Sequence, residues 1–389
     1  MSRIDDLVKE LCPGGVEYRA LGDVAELRRG TAATRKTMVP GDIPVVAGGM
    51  KPAYYCDTPN RERGVIVVAG SGAYAGYVSY WDRPIFVSDA FSIEVNDAIV
   101  VGRFCFHVLR RMQDDLHRMK RGGGVPHVYP KDVARIEIPV PPLAVQREIV
   151  RILDQFTQLE AELEAELEAR RDQYAYFRDV LIWGSCTEDR LVRIGELGSL
   201  VRGRRFTRND LQHEGLPAIH YGELYTTYGV RASESVSRVR PEISASLRFA
   251  VPGDVIVAAV GETVADVGIG VAWLGGEPVA YHDDSFALKH DQDPRFISYV
   301  LRTSGYHTQK EKYVSRAKVK RLSAKGLGQI KIPVPPLEEQ RRIADILDQF
   351  DALVNDLNSG LPAEIAARRK QYEYYRDKLL AFPEKGAAA

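Results

Sequence analysis

The 389-residue chain is 45% apolar and 27% charged, with 53 basic and 53 acidic side chains. That is ordinary for a globular protein and too long for a single core. No apolar run reaches the length of a membrane span, MSRIDDLVKE is too charged for a secretory leader, and the scattered Cys12, Cys56, Cys105 and Cys186 form no CxxC pair, so the expectation is a cytoplasmic protein with free thiols, no zinc site and no membrane contact.

The first 140 residues read as short strands followed by a helical stretch. IPVVAGG, GVIVVAG, YVSYW, PIFVS and FSIEV are β-branched or aromatic and punctuated by Gly, Pro and Asp. Residues 104–118 have helical spacing. GVIVVAGSGAYAG places G-x-G-x-x-x-G after a strand, but the YVSYWDRPIFV that follows predicts β structure where a dinucleotide fingerprint needs a helix N-terminus. No cofactor is expected there.

IPVPPLAVQREIVRILDQF (138–156) opens a different kind of segment. The prolines, including Pro141 and Pro142, give a rigid helix start, with Gln146 in the first turn. Ile149, Ile152, Phe156, Leu159 and Leu163 step 3, 4, 3, 4, and the stripe continues through Leu167, Tyr174, Phe177 and Leu181, with Arg170 in the missing step. That spacing predicts a coiled-coil seam on a helix over 143–182, roughly 60 Å long.

The chain then begins again. IGELGSLVRG (194–203) answers LGDVAELRRG (21–30). DVIVAAV and DDSFALKH (254–260, 283–290) answer GVIVVAG and SDAFSIEV (64–70, 88–95), and residues 294–313 have helical spacing. IPVPPLEEQRRIADILDQF (332–350), with Pro335, Pro336 and Gln340, repeats the first knuckle in 14 of 19 letters. RRKQYEYYRDKL (368–379) answers RRDQYAYFRDVL (170–181). The chain is a tandem duplication. The second seam runs Ile343, Ile346, Phe350, Leu353, Leu357, Ile365, Tyr372, Tyr375 and Leu379, with Gly360 and Pro362 of NSGLPAE predicting a kink or break. Neither stripe can bury itself, so the two helices are predicted to pair antiparallel. The terminal EKGAAA is expected to fray.

Charge follows the same division. Basic groups outnumber acidic ones by 19 to 17 over residues 1–139 and 21 to 17 over 184–333, and fall short by 5 to 9 over 143–183 and 8 to 10 over 334–389. The net charge of zero is therefore an average over opposite signs. Arg28, Arg29, Arg35 and Lys36 surround a Gly-Thr loop at Thr31, and Arg202, Arg204, Arg205 and Arg208 take the corresponding place. Arg118, Lys120 and Arg121 precede GGGVPH with its His127. The matching stretch 310–325 holds seven basic groups, among them Lys310, Arg316, Lys318, Lys320 and Arg321, against Glu311 alone. Basic clusters recurring at matching positions suit phosphate contacts, with a merely solvated charged face as the lesser alternative. Base readout would need donors and acceptors from strand-end loops: Lys51, Tyr54, Ser71, Tyr74, His220, Tyr221, Glu262, Thr263 and His282.

PVPPLxxQRxIxxILDQF and RRxQYxYYRDKL, each present twice behind divergent segments, resemble the specificity subunit of type I restriction-modification systems, over the whole chain. The resemblance implies an α+β chain in which two similar β-rich target-recognition domains (1–140 and 185–334) are separated by paired helical spacers (141–184 and 335–383) in an antiparallel coiled coil with pseudo-twofold symmetry, ahead of a disordered tail (384–389). It implies no catalysis and no metal in this subunit. The expected partners are double-stranded DNA, two methyltransferase subunits docked on the strut and knuckles, and two restriction subunits; the complex would use S-adenosylmethionine and ATP with Mg2+. On the same footing, LEAE-LEAE-LEAR (159–170), each unit adding about 6 Å of helix, reads as a ruler for the gap between half-sites, or else as helix-forming surface. Two rival classes remain open on the residues alone: a nuclease with a degenerate site in the β-rich globules, and a coiled-coil scaffold that binds only proteins.

Overall fold

Each copy of the duplication opens with a short strand clasped against the residues that lead into its proline knuckle. Glu17–Ala20 pairs antiparallel with Glu137–Val140, and Leu191–Arg193 with Lys331–Pro333. Ala20 lies opposite Glu137 and Arg193 opposite Lys331, so both globules are closed at the same point. The computed structural model describes residues 3–187, 190–315, 317–356 and 359–386. It divides into two units, Met1–Glu164 with Glu364–Ala389, and Ala165–Ala363.

In the first unit, β1 (Ala25–Arg29), β2 (Val65–Ala69), β3 (Val78–Trp81) and β4 (Ala90–Val95) form an antiparallel sheet in the order β1-β4-β2-β3. In the second, β5 (Gly198–Arg202), β6 (Val255–Ala258), β7 (Gly270–Trp273) and β8 (Ser285–His290) repeat it as β5-β8-β6-β7, with Arg231–Ala232 added parallel at the edge. β2 and β6 are buried at every residue, as suits central strands covered on both faces. The sequence match sets 64–70 against 254–260, but the ladders place Ala69 opposite Ala90 and Ala258 opposite Ser285. The structural equivalence of these strands is therefore one residue out from the letter match, because a uniformly apolar run carries no register of its own. The expected helical stretches 104–118 and 294–313 each break in two: Gly102–Arg111 and Gln113–Arg118, then Pro294–Val300 and Ser304–Lys310. Beyond GVIVVAGSGAYAG comes β3, a strand, and no helix.

The long helix α1 (Leu143–Trp183) is continuous and belongs to both units. The second copy is broken, as Gly360 and Pro362 predict, into α2 (Leu337–Asn355) and α3 (Gly360–Leu379). Pro362 falls in the first turn of α3, where its missing N–H costs nothing. Within the first unit, α1 meets α3: Phe156 stacks on Tyr375 at 5.3 Å and Glu160 pairs with Arg369 at 2.5 Å. Within the second, α1 meets α2: Tyr174 donates to Asp351 at 3.2 Å, and Phe177 lies 6.4 Å from Phe350. In both units the contacting numbers rise on one helix as they fall on the other, so each pairing is antiparallel.

The expected seam needs correction at its start. Val145, Ile149 and Leu153 are fully buried in the first globule's core with Phe104 and Val108, and Ile343, Ala344 and Leu347 are buried likewise in the second. The first turns of each helix are thus globule core, worth about 1.5–3 kcal/mol per Leu or Ile, and helix pairing begins only at Phe156. Leu159, Phe177 and Leu353, expected in the seam, are exposed; Leu357 lies outside the described residues.

The tail was expected to be disordered from 384. Instead, Leu380 is fully buried, Tyr18 Oη donates to Phe382 O at 2.9 Å, and Val16 pairs in parallel with Glu384, with Lys385 N donating to Val16 O at 2.9 Å. Residues 387–389 lie outside the described residues.

Candidate nucleic-acid interface

The duplication builds one structural device twice, at the end of β1 and of β5. Past Arg29 the chain turns at Gly30, whose N–H donates to Ala90 O at 2.9 Å; past Arg202 it turns at Gly203, whose N–H donates to Ser285 O at 3.0 Å. A Cβ on either glycine would collide with backbone carbonyls, those of Val87 and Ser88 or of Tyr281 and His282. The close approach requires glycine and sets each arginine beside the acidic turn that precedes β4 or β8. Those turns carry Asp89 and Asp284. The second basic segment closes the cleft from the other side: Val128 N donates to Gly70 O at 3.0 Å, and Leu322 N to Ala259 O at 2.9 Å. These bonds bring His127 and Arg321 to the two mouths. In the second unit this joins Arg202 and Arg205 to Arg321 in one cleft, whereas in the first it joins Arg29 to His127 and leaves Arg118, Lys120 and Arg121 outside the lining.

The linings differ. The first cleft, about 350 Å³, holds Arg29, Asp89, His127 and Tyr129. Ser71 is buried and donates its hydroxyl to the Asp89 carboxylate, and His127 stacks on Tyr129 at 6.1 Å. The second, about 480 Å³, holds Arg202, Arg205, Phe206, His220, Tyr221, His282, Asp284 and Arg321. Its four rings lie within 4.5–6.3 Å of their neighbours. Arg202 approaches Asp283 at 3.6 Å and Asp284 at 3.8 Å, and Arg321 approaches Asp284 at 3.3 Å. Burial holds the imidazoles of His220 and His282 below the ordinary histidine value, outweighing the opposite pull of Asp284 on His220 and of Asp283 and Asp284 on His282. Both are therefore mainly neutral near pH 7, able to donate at one nitrogen and accept at the other. His282, Asp283 and Asp284 could geometrically hold a cation, but Arg202 and Arg321 already lie against the carboxylates.

The remaining candidates are scattered. Thr31, Arg35, Lys36, Lys51, Tyr74, Arg204 and Lys318 are exposed on loops, and Arg208 is exposed at the start of a 3-10 turn, Arg208–Asp210. Arg28 is half neutralised across the sheet by Glu94 at 3.1 Å, and Arg118 by Asp115 at 2.7 Å. Lys120 Nζ donates to Ala73 O and Lys320 Nζ to Ala317 O, while Arg121 approaches Asp132 at 3.5 Å and brackets the GGG turn by pairing with His127. Thr263 closes its own turn: its N–H donates to Asp266 and its hydroxyl accepts from Asp266 N. The Tyr54 hydroxyl is buried without a hydrogen-bond partner. Arg316 lies outside the described residues.

Two expectations fail on burial. Lys310 is fully buried, donating to Val267 O at 2.5 Å; burial pushes its ammonium down to about 8, and it holds a loop instead of meeting phosphate. Gln146 and Gln340, expected on a docking surface, are fully buried. Gln146 accepts from Val101 N and donates to Ile99 O and Pro141 O; Gln340 accepts from Asp293 N and donates to Gln292 Oε1 and Pro335 O. They lock the knuckles to their own globules. Pro141 and Pro335 are buried with them, while Pro142 and Pro336 remain exposed. The aspartates Asp89 and Asp284 were missed, though SDAF and DDSF keep an acid before each strand. Arg61 was missed too: it is buried, and its guanidinium donates to Arg29 O, Asn60 O and Ser92 Oγ, bracing the end of β1.

Similar proteins carry this architecture. The family described as type I restriction modification DNA specificity domain matches twice, at residues 13–169 and 190–367. A type I restriction enzyme specificity subunit of Escherichia coli, EcoR124I/EcoR124II, is 34% identical over 259 residues, 64% of this chain and 64% of the relative. A putative specificity subunit of Haemophilus influenzae is 29% identical over 94% of this chain and 96% of its own length. Among solved structures, the S subunit of a type I restriction-modification system from M. genitalium aligns with a TM-score of 0.55 at 18% identity over 94% of this chain and 96% of that one. A structure from work on complex assembly and conformational transition of the type I system aligns at 0.60 and 23% over 95% and 98%. With both halves of the duplication matched and the same sheet built twice around the same arginine-glycine turn, the chain belongs to the type I restriction modification DNA specificity family.

Proposed function

We propose that this chain is the non-catalytic DNA-recognition subunit of a type I modification and restriction complex, each globule reading one half of a bipartite target. What carries the reading is the mouth built once per unit: an arginine at a strand end, an acid beside it and a variable third residue, on an unchanged sheet. A retained frame with altered lining suits two readers of different sequences better than two copies of one catalyst. Exposed Arg35, Lys36, Arg204, Arg205, Arg208 and Lys318 would sit on phosphates and supply affinity. The paired helices would set the half-site separation and, with exposed Pro142 and Pro336, offer docking surface to two methyltransferase subunits; S-adenosylmethionine and ATP with Mg2+ belong to the partners. A larger cleft in the first unit, about 730 Å³, includes Asp23, Glu26 and Glu94 and suits a polyanion poorly.

The test is DNA binding by the chain assembled with its methyltransferase, with Arg204, Arg205, Lys318 and Lys320 changed to Ala. Each lost phosphate contact lowers the slope of log K against log salt by about 0.9, so the variant's slope should be shallower by two to four of those steps. An unchanged slope would favour the protein-only scaffold, and magnesium-dependent cleavage by the chain alone would favour the nuclease.

A further inference from the structure

We propose that His127 and Arg321 are equivalent base-reading positions, His127 for one half-site and Arg321 for the other, and that Arg321 selects a guanine. The inference rests on the proposed DNA-recognition function and deepens it. The two residues stand at the same distance from their knuckles, and their backbones are held by the same contacts. His127 bridges to Ser71 and Arg321 pairs with Val260, and the next residue in each case donates to the carbonyl just before that partner. Ser71 and Val260 correspond once the one-residue register shift of β2 and β6 is applied. Each residue therefore lines its cleft from the matching position of the fold, together with the same retained arginine and aspartate. Around it the duplication keeps the Arg-Gly turn, the acid and the phenylalanine two residues beyond the acid; the residue at this position is among those that change.

The chemistry of the two is different. Arg321 is more than half exposed, and one terminal nitrogen lies 3.3 Å from Asp284 Oδ1. A carboxylate on one edge of a guanidinium orients the fork while leaving its other donors free, and that fork matches O6 and N7 of guanine in the major groove. His127 offers one donor and one acceptor from a ring braced on Tyr129 and cannot make that bidentate contact. A lysine in place of Arg321 would keep the charge and lose the fork.

The assay is target mapping by methylation of a randomised DNA library, using the chain assembled with its methyltransferase. In R321H the second half-site should lose preference for one G·C pair by about 5- to 150-fold while the first half-site stays as it was. H127R should alter one position of the first half-site alone. R321K should retain overall affinity and salt dependence yet lose the same preference, which also guards against misfolding as the cause. If R321H and R321K keep the wild-type target and only weaken methylation evenly across sequences, Arg321 is a phosphate contact and the inference is overturned. If the wild-type complex methylates without any bipartite preference, it is the underlying DNA-recognition reading that fails.

Discussion

Replacing Gln340 by Ala should destabilise the second unit substantially in the isolated chain. The amide is fully buried and makes three hydrogen bonds: from Asp293 N at 3.0 Å, and to Pro335 O and Gln292 Oε1 at 2.7 Å each. Asp293 caps the helix Pro294–Val300, accepting from Arg295 N and Phe296 N. Gln340 therefore ties a globule helix to the proline knuckle. Truncation leaves the Asp293 N–H and the Pro335 carbonyl without partners in a site too closed for water to replace them freely. At about 1–3 kcal/mol for each of the two orphaned buried groups, the expected loss is about 2–6 kcal/mol. Q340M keeps the volume and removes only the polar contacts, so it should retain most of that loss. Urea unfolding followed by circular dichroism measures it, with the transition of the second unit resolved from the first. Q146A should behave in the same way in the first unit, where three bonds are again at stake. A stability change under about 0.5 kcal/mol, the range of an ordinary surface substitution, would refute the reasoning, and weakened capture of the methyltransferase at unchanged stability would return Gln340 to a docking role.

Deleting residues 163–166 removes one LEAE unit, about 6 Å of helix, against a DNA rise of about 3.4 Å per base pair; methylation mapping should show the spacer shortened by about one or two pairs with both half-sites kept. Burial, with Lys310 nearby, pushes the His307 imidazole from 6.5 down to about 4. The unfolded chain takes up that proton near 6.5 and the folded chain resists until about 4, so stability should fall as pH drops through this window and level off below it. Thermal melting against pH should show a shallower fall in H307F. Ending the chain at Leu379 exposes the pocket of Leu380 and removes the hydrogen bonds from Tyr18 and Arg111 to the tail; melting of the first unit should reveal a loss of about 2–4 kcal/mol.

The duplication, the broken second helix and most strands were legible because each leaves a period or a breaker in the letters. What stayed hidden depended on neighbours distant in sequence. Leu153 and Leu347 fall off the 3-4 stripe because their partners belong to a globule and not to a helix. Gln146, Gln340 and Lys310 carry polar atoms that normally report a surface, and only the tertiary structure supplies the carbonyls and amides that let them be buried. Asp89 and Asp284 were visible as letters, but their role appears only when the fold lines each cleft with an arginine and sets Ser71 on Asp89 and Arg202 and Arg321 near Asp284. The tail looked expendable by composition, and strand pairing with Val16 lies beyond any local signal.

That pairing also orders the chain's assembly during synthesis. The second unit is one unbroken stretch, Ala165–Ala363, whereas the first needs both Met1–Glu164 and Glu364–Ala389. The unit translated earliest is therefore the one that closes later: its core cannot close over Leu380 until the segment that begins at Glu364 has left the ribosome, and by then all of Ala165–Ala363 has been made.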